Sequence, residues 1–139
     1  MNKTIPTTLM VATEPDTSVL TEALRHAHWP FMVVPTPDEG LEQARTGIFD
    51  AIVIAEVLLP EPPGLFFRAI RERAGTPIVV AGWGGSDALT AMLLDGADVY
   101  LARPVPHDVL LARLQSLSVR KPRDRQARPV EDQFRPTES

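Results

Sequence analysis

The segment Gly96-Ala97-Asp98-Val99-Tyr100-Leu101-Ala102-Arg103-Pro104 carries the most information about the fold. A glycine of the kind that ends helices is followed by a short, mostly apolar run, which leads into a charged residue and a proline. This order is typical of a buried parallel strand that follows a helix and ends in a loop. Outward from this segment, the same succession of helix, glycine and apolar run recurs along the chain.

Five short apolar runs alternate with amphipathic stretches, which is the signature of βα units stacked on a parallel sheet. The predicted strands cover residues 9–12, 31–34, 51–55, 77–81 and 99–102. The predicted helices cover residues 16–28, 38–46, 65–73, 86–95 and 106–119. The first helix is expected to bury Val19, Leu20, Ala23, Leu24 and Ala27, and the last to bury Val109, Leu110, Leu114 and Leu117. The near-continuous hydrophobicity of the strands predicts that helices cover both faces of the sheet.

Two segments carry a resemblance to a known family. Residues 96–104 resemble the G-A-D-D-Y-L-x-K-P segment of response-regulator receiver domains, and residues 56–65 resemble the family's D-x-x-L-P-x-x-x-G-L loop at every fixed position except the first. The resemblance covers about residues 8–119 and is closest to the OmpR/PhoB class. It implies an α/β fold of three layers, a flavodoxin-like (βα)5 doubly wound parallel sheet with strand order 2-1-3-4-5.

The resemblance also implies a phosphorylation pocket, and this sequence departs from the family there. A receiver uses two acids after strand 1 with Mg²⁺, an acceptor Asp after strand 3, a Ser or Thr after strand 4 and a Lys after strand 5. Here Thr13 and Glu14 best fit the acidic pair, with Asp16 as an alternative second carboxylate; Glu56 takes the acceptor position, Gly82 the hydroxyl position and Arg103 the lysine position.

These replacements predict impaired phosphoryl chemistry. Glu56 moves the acceptor oxygen by one methylene, and a shift on the order of 1 Å can cost roughly 100-fold in rate. Gly82 lacks the hydroxyl, and we expect Arg103 to form a bidentate salt bridge with Glu56. Glu56 is also interpreted as an imitation of phospho-aspartate that locks the domain in its active state. No catalytic residue and no cofactor are expected, beyond weak Mg²⁺ binding at Glu14 and Glu56.

Surface contacts are predicted at two places. Tyr100 holds the family's aromatic switch position, and its packing with Trp83 is expected to set one conformation. The glycine-rich loop that contains Trp83 is predicted to be flexible, and Trp83 is a candidate interface residue because ligands bind beside the carboxyl ends of the strands. By resemblance, helix 4, strand 5 and helix 5 form a homodimer surface that includes Asp98 and Arg113.

Length and composition predict one domain, residues 1–119, followed by a flexible linker or tail, residues 120–139. The 139 residues include no Cys and carry a formal net charge of -4, so neither disulfides nor the basic excess of a nucleic-acid-binding chain is indicated. No signal peptide and no apolar run of spanning length are present, which favours a cytoplasmic protein without membrane contact. In the OmpR/PhoB class such a linker leads to a DNA-binding domain, so DNA contact is expected only through a C-terminal domain outside this chain.

Three functions remain open from the sequence. The first is a non-enzymatic receiver-like domain that acts in two-component signal transduction or transcription regulation through protein contacts, without phosphorylation. The second is the receiver of a DNA-binding transcription factor that is phosphorylated on Glu56 with Mg²⁺. The third is a flavodoxin-like nucleotide or cofactor binder that uses the Trp83 loop.

Overall fold

The computed structural model of the protein describes residues 5–126, and their side chains as far as Ser118. Five parallel strands form one sheet in the order β2-β1-β3-β4-β5. They are β1 (Thr8–Val11), β2 (Phe31–Val34), β3 (Ala51–Ala55), β4 (Ile78–Gly82) and β5 (Val99–Ala102). The predicted fold class and strand order are therefore confirmed.

Each strand is followed by a helix that returns the chain to the opposite edge of the sheet. The helices are α1 (Asp16–Ala27), α2 (Pro37–Ala44), α3 (Pro63–Arg73), α4 (Ser86–Asp95) and α5 (His107–Gln126), and a single 3-10 turn, Glu56–Leu58, follows β3. The predicted end of the last helix at Val119 is wrong, because helical backbone continues to Gln126 after the apolar periodicity has stopped. The remainder of the predicted tail lies outside the described residues.

Helices cover both faces of the sheet and divide the core into two clusters. One cluster packs β-strand side chains against α2, α3 and α4, with Phe67 and Ile70 at its centre. The other packs the opposite face against α1 and α5, with Leu24 and Leu114 fully buried. The strands β1, β3 and β4 are buried along their whole length, as their continuous apolar sequences predict.

Two residues that were expected in the core are exposed. Val19 is 53% exposed and Val109 is 39% exposed, although Leu20 and Leu110 beside them are buried. Successive helical residues point about 100° apart, so the buried stripe of each helix is narrower than the apolar run in its sequence. The expectation that Val19 and Val109 point inward is therefore wrong.

Two aspartates fasten the amino-terminal edge of the sheet. The N–H of Asp50 donates to the carbonyl of Thr7, and its Oδ2 accepts the N–H of Thr7 at 2.8 Å. Asp98 makes the same pair of bonds with Ile78, again with Oδ2 at 2.8 Å from the backbone nitrogen. Part of the acceptor capacity of Asp98 is thus used within the sheet. Asp50 lies at the edge away from the candidate site, as its place before β3 predicts.

Within residues 5–126, no helix combines the length and the apolar character needed to cross a bilayer. The parallel arrangement brings the carboxyl ends of all five strands to one edge, where the loops after β1, β3, β4 and β5 meet. In doubly wound sheets this edge is where ligands bind. The predicted pocket residues come from these loops.

Candidate functional site

An open cleft of about 540 Å³ lies at the carboxyl edge of the sheet. Its lining residues are Asp16, Ala55, Glu56, Val57, Ala81, Gly82, Trp83, Gly84 and Arg103. The structure therefore brings together the predicted pocket residues Glu56, Gly82 and Arg103, with Trp83 on the same cleft. Thr13 and Glu14 do not line it.

The Glu56 carboxylate is held by a hydrogen bond from Tyr100, the residue at the predicted aromatic switch position. The hydroxyl of Tyr100 donates to Glu56 Oε1 at 2.7 Å, and it accepts the backbone N–H of Gly84 at 2.9 Å. Tyr100 is buried, with 6% of its surface exposed. Burial raises the pKa of Tyr100 above 10.0, and the hydrogen bond to Glu56 raises it further. The tyrosine therefore remains a proton donor to Glu56 over the neutral pH range.

Gly82 makes this arrangement possible because it has no side chain. A Cβ placed on Gly82 would lie 1.9 Å from Glu56 Oε1, 2.7 Å from the Tyr100 hydroxyl and 2.8 Å from Glu56 Cβ. These separations are far below van der Waals contact, so any larger residue at position 82 has to displace the Glu56–Tyr100 pair. The glycine at the predicted hydroxyl position and the glutamate at the predicted acceptor position are therefore sterically coupled.

Arg103 pairs with Asp16 and not with Glu56. Its Nη1 lies 2.8 Å from Asp16 Oδ1, and the two side chains are 5% and 21% exposed. The predicted bidentate salt bridge between Arg103 and Glu56 is wrong, because Tyr100 holds the Glu56 carboxylate while Asp16, in the first turn of α1, reaches the guanidinium. Arg103 Nε is buried without a hydrogen-bond partner among the described residues.

Trp83 stacks on Arg103 from the solvent side, and it remains 68% exposed. The guanidinium carbon lies 4.8 Å from the centroid of the indole, which is a cation–π contact. Tyr100 acts on this loop through the N–H of Gly84, so the expected packing between the Trp83 and Tyr100 rings is replaced by a hydrogen bond to the next residue. The N–H of Arg103 also donates to the carbonyl of Gly82 at 2.7 Å. The loop predicted to be flexible is fastened on both sides of Trp83.

The predicted acidic pair is not assembled. Thr13 and Glu14 are both exposed, and Glu14 Oε1 accepts from Ser18 Oγ at 2.7 Å instead of facing the cleft. Among the side chains of residues 5–118, no three histidine or acidic groups lie together so that they could hold a metal ion. The expectation that Glu14 shares a pocket with Glu56 is therefore wrong, and Asp16 supplies the second carboxylate of the cleft.

The remaining candidates lie away from the cleft. Asp98, which immediately precedes β5, and Arg113, on α5, are both exposed. His28 ends α1 in the left-handed conformation, with φ of 61°. The rings of His26 and His107 meet edge to face across α1 and α5 at 5.7 Å, a contact that sequence spacing gave no reason to expect.

Curated relatives match part of the chain. Response regulator ArlR of Staphylococcus aureus, in strains Mu50, MW2 and COL, is 33% identical over 86 residues, which is 60% of this chain. The match covers 39% of ArlR, so this chain corresponds to less than half the length of that relative. No protein-family profile matches the chain.

Solved receiver structures superpose on most of the chain. The receiver domain of a sensor histidine kinase from Pseudomonas aeruginosa, which has a magnesium ion in its active-site cleft, is 23% identical with a TM-score of 0.71, and covers 84% of this chain and 99% of that one. A response regulator from Chloroflexus aurantiacus is 24% identical with a TM-score of 0.72, at 84% and 100% coverage. The chemotaxis response regulator CheY4 of Vibrio cholerae is 22% identical with a TM-score of 0.69, at 82% and 99% coverage. These likenesses confirm the resemblance and establish the receiver fold.

Proposed function

We propose that this chain is a receiver domain that works without phosphorylation, as a protein-interaction domain in two-component signalling or transcription regulation. The observation that carries the proposal is the Glu56–Tyr100 hydrogen bond in the space beside Gly82. In this arrangement the acceptor-position carboxylate and the aromatic switch residue are already bound to each other. Such a domain has no catalytic role.

Glu56 takes over, in this proposal, the part that a phosphoryl group plays in a switching receiver. Its carboxylate holds Tyr100 inward, and Tyr100 in turn holds the loop after β4 through the N–H of Gly84. A hydrogen bond to a charged group contributes about 1.5–3 kcal/mol, which is enough to favour one side-chain position strongly. The domain therefore rests in one conformation, which we assign to the phosphate-independent active state.

Phosphoryl transfer to Glu56 is disfavoured by the same contacts. An acceptor oxygen has to face the donor phosphorus in line, while positive charge neutralises the developing negative charge. Here Glu56 Oε1 faces Tyr100, and Arg103 is neutralised by Asp16. Attack by Glu56 requires the carboxylate to leave Tyr100, and charge stabilisation requires Arg103 to leave Asp16.

The residues of the cleft are a poor fit to the Mg²⁺ site of a receiver. Mg²⁺ is held by one or two carboxylates plus several waters. Of the acids after β1, Glu14 bonds to Ser18 and Asp16 bonds to Arg103. A magnesium ion therefore has to compete with the arginine for Asp16, so we expect weak binding at most.

Protein partners are proposed to bind at the surface of α4, β5 and α5, including a second copy of the chain. In α4, Leu89, Leu93 and Leu94 are exposed, at 39%, 41% and 81%. Arg113 is exposed on α5, whereas the Asp98 carboxylate already accepts the Ile78 N–H. A homodimer at this surface therefore depends more on the α4 leucines than on Asp98. We propose a cytoplasmic location, and DNA contact only through a domain outside this chain.

The test is phosphorylation by a small donor. The chain is incubated with acetyl phosphate and Mg²⁺, and its intact mass is followed beside a receiver domain that has the usual acceptor aspartate. We expect the control to gain one phosphoryl group while this chain keeps its mass. A gain that disappears in Glu56→Gln would contradict the proposal and establish the competing function, a receiver phosphorylated on Glu56.

A further inference from the structure

Two large apolar side chains stand exposed at the mouth of the cleft. Trp83 is 68% exposed, and Val57, in the turn after β3, is 78% exposed. Both line the cleft, so they belong to one surface. Exposed apolar groups of this size that border a cleft are a mark of interaction sites.

Trp83 is also held in place before any partner arrives. Its ring rests on Arg103, whose side chain is 5% exposed and paired with Asp16. The backbone on either side is bonded through the Gly82 carbonyl and the Gly84 N–H. An aromatic side chain fixed in this way loses little conformational entropy on binding, which is a property of residues that dominate binding energy.

The loops around the cleft are strongly acidic. We define the carboxyl rim as the segments that follow the five strands, which are residues 13–17, 35–39, 56–62, 83–87 and 103–108. The rim contains eight carboxylates, which are Glu14, Asp16, Asp38, Glu39, Glu56, Glu61, Asp87 and Asp108, and a single arginine, Arg103. The whole chain has a net charge of -4, so the rest of it is net positive. A partner that approaches the carboxyl rim meets negative charge around an apolar centre.

We propose that the carboxyl rim binds a basic amphipathic segment of a partner protein. Apolar residues of that segment cover Trp83 and Val57, and its lysines or arginines face the carboxylates of the rim. This inference deepens the proposed function and rests on it, because the Glu56–Tyr100 bond holds the Trp83 loop without phosphate. Charge complementarity also speeds encounter and makes the binding sensitive to salt.

The test uses synthetic peptides of about 18 residues, which is five helical turns. One peptide has leucine and alanine on one helical face and lysine on the other, the second has the same composition in scrambled order, and the third has glutamate in place of lysine. Each carries a fluorescent label, and binding to the full chain is followed by fluorescence anisotropy. We expect the basic amphipathic peptide to bind, the scrambled one to bind at least ten times more weakly, and the acidic one not to bind.

Variants locate the binding surface. Trp83→Ala is expected to weaken binding at least tenfold, whereas Ile48→Ala, which removes an apolar side chain of similar exposure in the segment before β3, leaves it unchanged. Asp87→Asn on the carboxyl rim should weaken binding two- to threefold, and Glu72→Asn, outside that rim, should not. Thermal unfolding of each variant shows whether it is folded, and Trp83→Phe, which keeps a smaller ring, should retain part of the affinity.

The outcomes separate this inference from the proposed function. Equal binding of the ordered and scrambled peptides, or full affinity in Trp83→Ala, would overturn the proposed docking surface, because binding would then be general attraction between opposite charges. Repeating the titration with acetyl phosphate and Mg²⁺ tests the other proposal. If the chain gains the mass of a phosphoryl group and peptide binding is unchanged, only the proposal of phosphate independence is refuted. If the chain keeps its mass and the basic amphipathic peptide does not bind, only the proposed docking surface is refuted.

Discussion

Substitution of Gly82 by alanine tests the packing of the site. The new Cβ would lie 1.9 Å from Glu56 Oε1 and 2.8 Å from Glu56 Cβ, so the carboxylate has to leave Tyr100. The cost is the hydrogen bond between a hydroxyl and a charged group, about 1.5–3 kcal/mol, with further strain from the Cβ contact. We expect Gly82→Ala to lower the free energy of unfolding by about 2–3 kcal/mol, and the midpoint of thermal unfolding by about 10 °C.

Chemical denaturation of four proteins measures this cost and its cause. Gly82→Ala, Glu56→Ala and the double variant form a cycle with the natural chain. Because the Glu56–Tyr100 bond can be lost only once, the double variant should be about 1.5 kcal/mol more stable than additivity predicts. Gly85→Ala is the matched control, since a Cβ there meets no atom within 4 Å.

Unfolding of Gly82→Ala at the same denaturant concentration as Gly85→Ala would contradict the steric coupling of Gly82 with Glu56. So would unfolding free energies of Gly82→Ala and Glu56→Ala that add within about 0.5 kcal/mol in the double variant, which is the behaviour of independent sites. Either result would mean that Glu56 and Gly82 do not share one space.

Three further predictions concern the buried polar groups. Asp16→Asn leaves the Arg103 charge unpaired at 5% exposure and should cost about 3 kcal/mol in denaturation, whereas Glu42→Gln, in an exposed pair with Arg45, should cost under about 0.5 kcal/mol. Tyr100 is the single tyrosine of the chain, so a pH titration followed by ultraviolet absorbance reports the ionisation of one tyrosine. The pH midpoint of that ionisation should lie above 10.0, and it should be lower in Glu56→Ala. The same midpoint in Glu56→Ala and in the natural chain would contradict the hydrogen bond between Tyr100 and Glu56. The folded state holds the Tyr100 proton more tightly than the unfolded chain does. The contribution of protonated Tyr100 to the free energy of unfolding should therefore be complete below pH 10.0 and lost as pH rises through the raised pKa of the folded state. Unfolding measured across pH 8–11 should show this loss in the natural chain and not in Tyr100→Phe.

The fold could be predicted from the sequence because its signals are local and repeated. Apolar runs and glycines predicted the correct first and last residues of four elements, which are β2, β3, β5 and α4. The errors lie where local pattern and packing disagree. Val19 and Val109 continue an apolar run but face solvent, and α5 extends beyond its apolar part.

The residues that line the cleft could be predicted from the sequence, but the contacts between their side chains could not. Glu56, Gly82 and Arg103 share the cleft because parallel strands bring their carboxyl ends together. Which partner each side chain takes depends on distances between elements that spacing along the chain does not specify. In the folded chain, Glu56 accepts a hydrogen bond from Tyr100 and does not pair with Arg103. Arg103 pairs instead with Asp16, from the first turn of α1. The sequence signal for the contact between Glu56 and Tyr100 is the combination of Gly82 with a glutamate at position 56, at the ends of adjacent strands.

An amide NMR titration of the chain with Mg²⁺ and then with beryllofluoride, an analogue of the phosphoryl group, tests whether the domain still responds to phosphate. Resonances near Glu56, Gly82, Tyr100 and Arg103 and those of α4 are followed. A domain that already rests in one phosphate-independent conformation predicts little change with beryllofluoride at Tyr100 and α4. Shifts that spread from Glu56 through Tyr100 to α4 would show that the switch still responds to phosphate, and would contradict a phosphate-independent conformation.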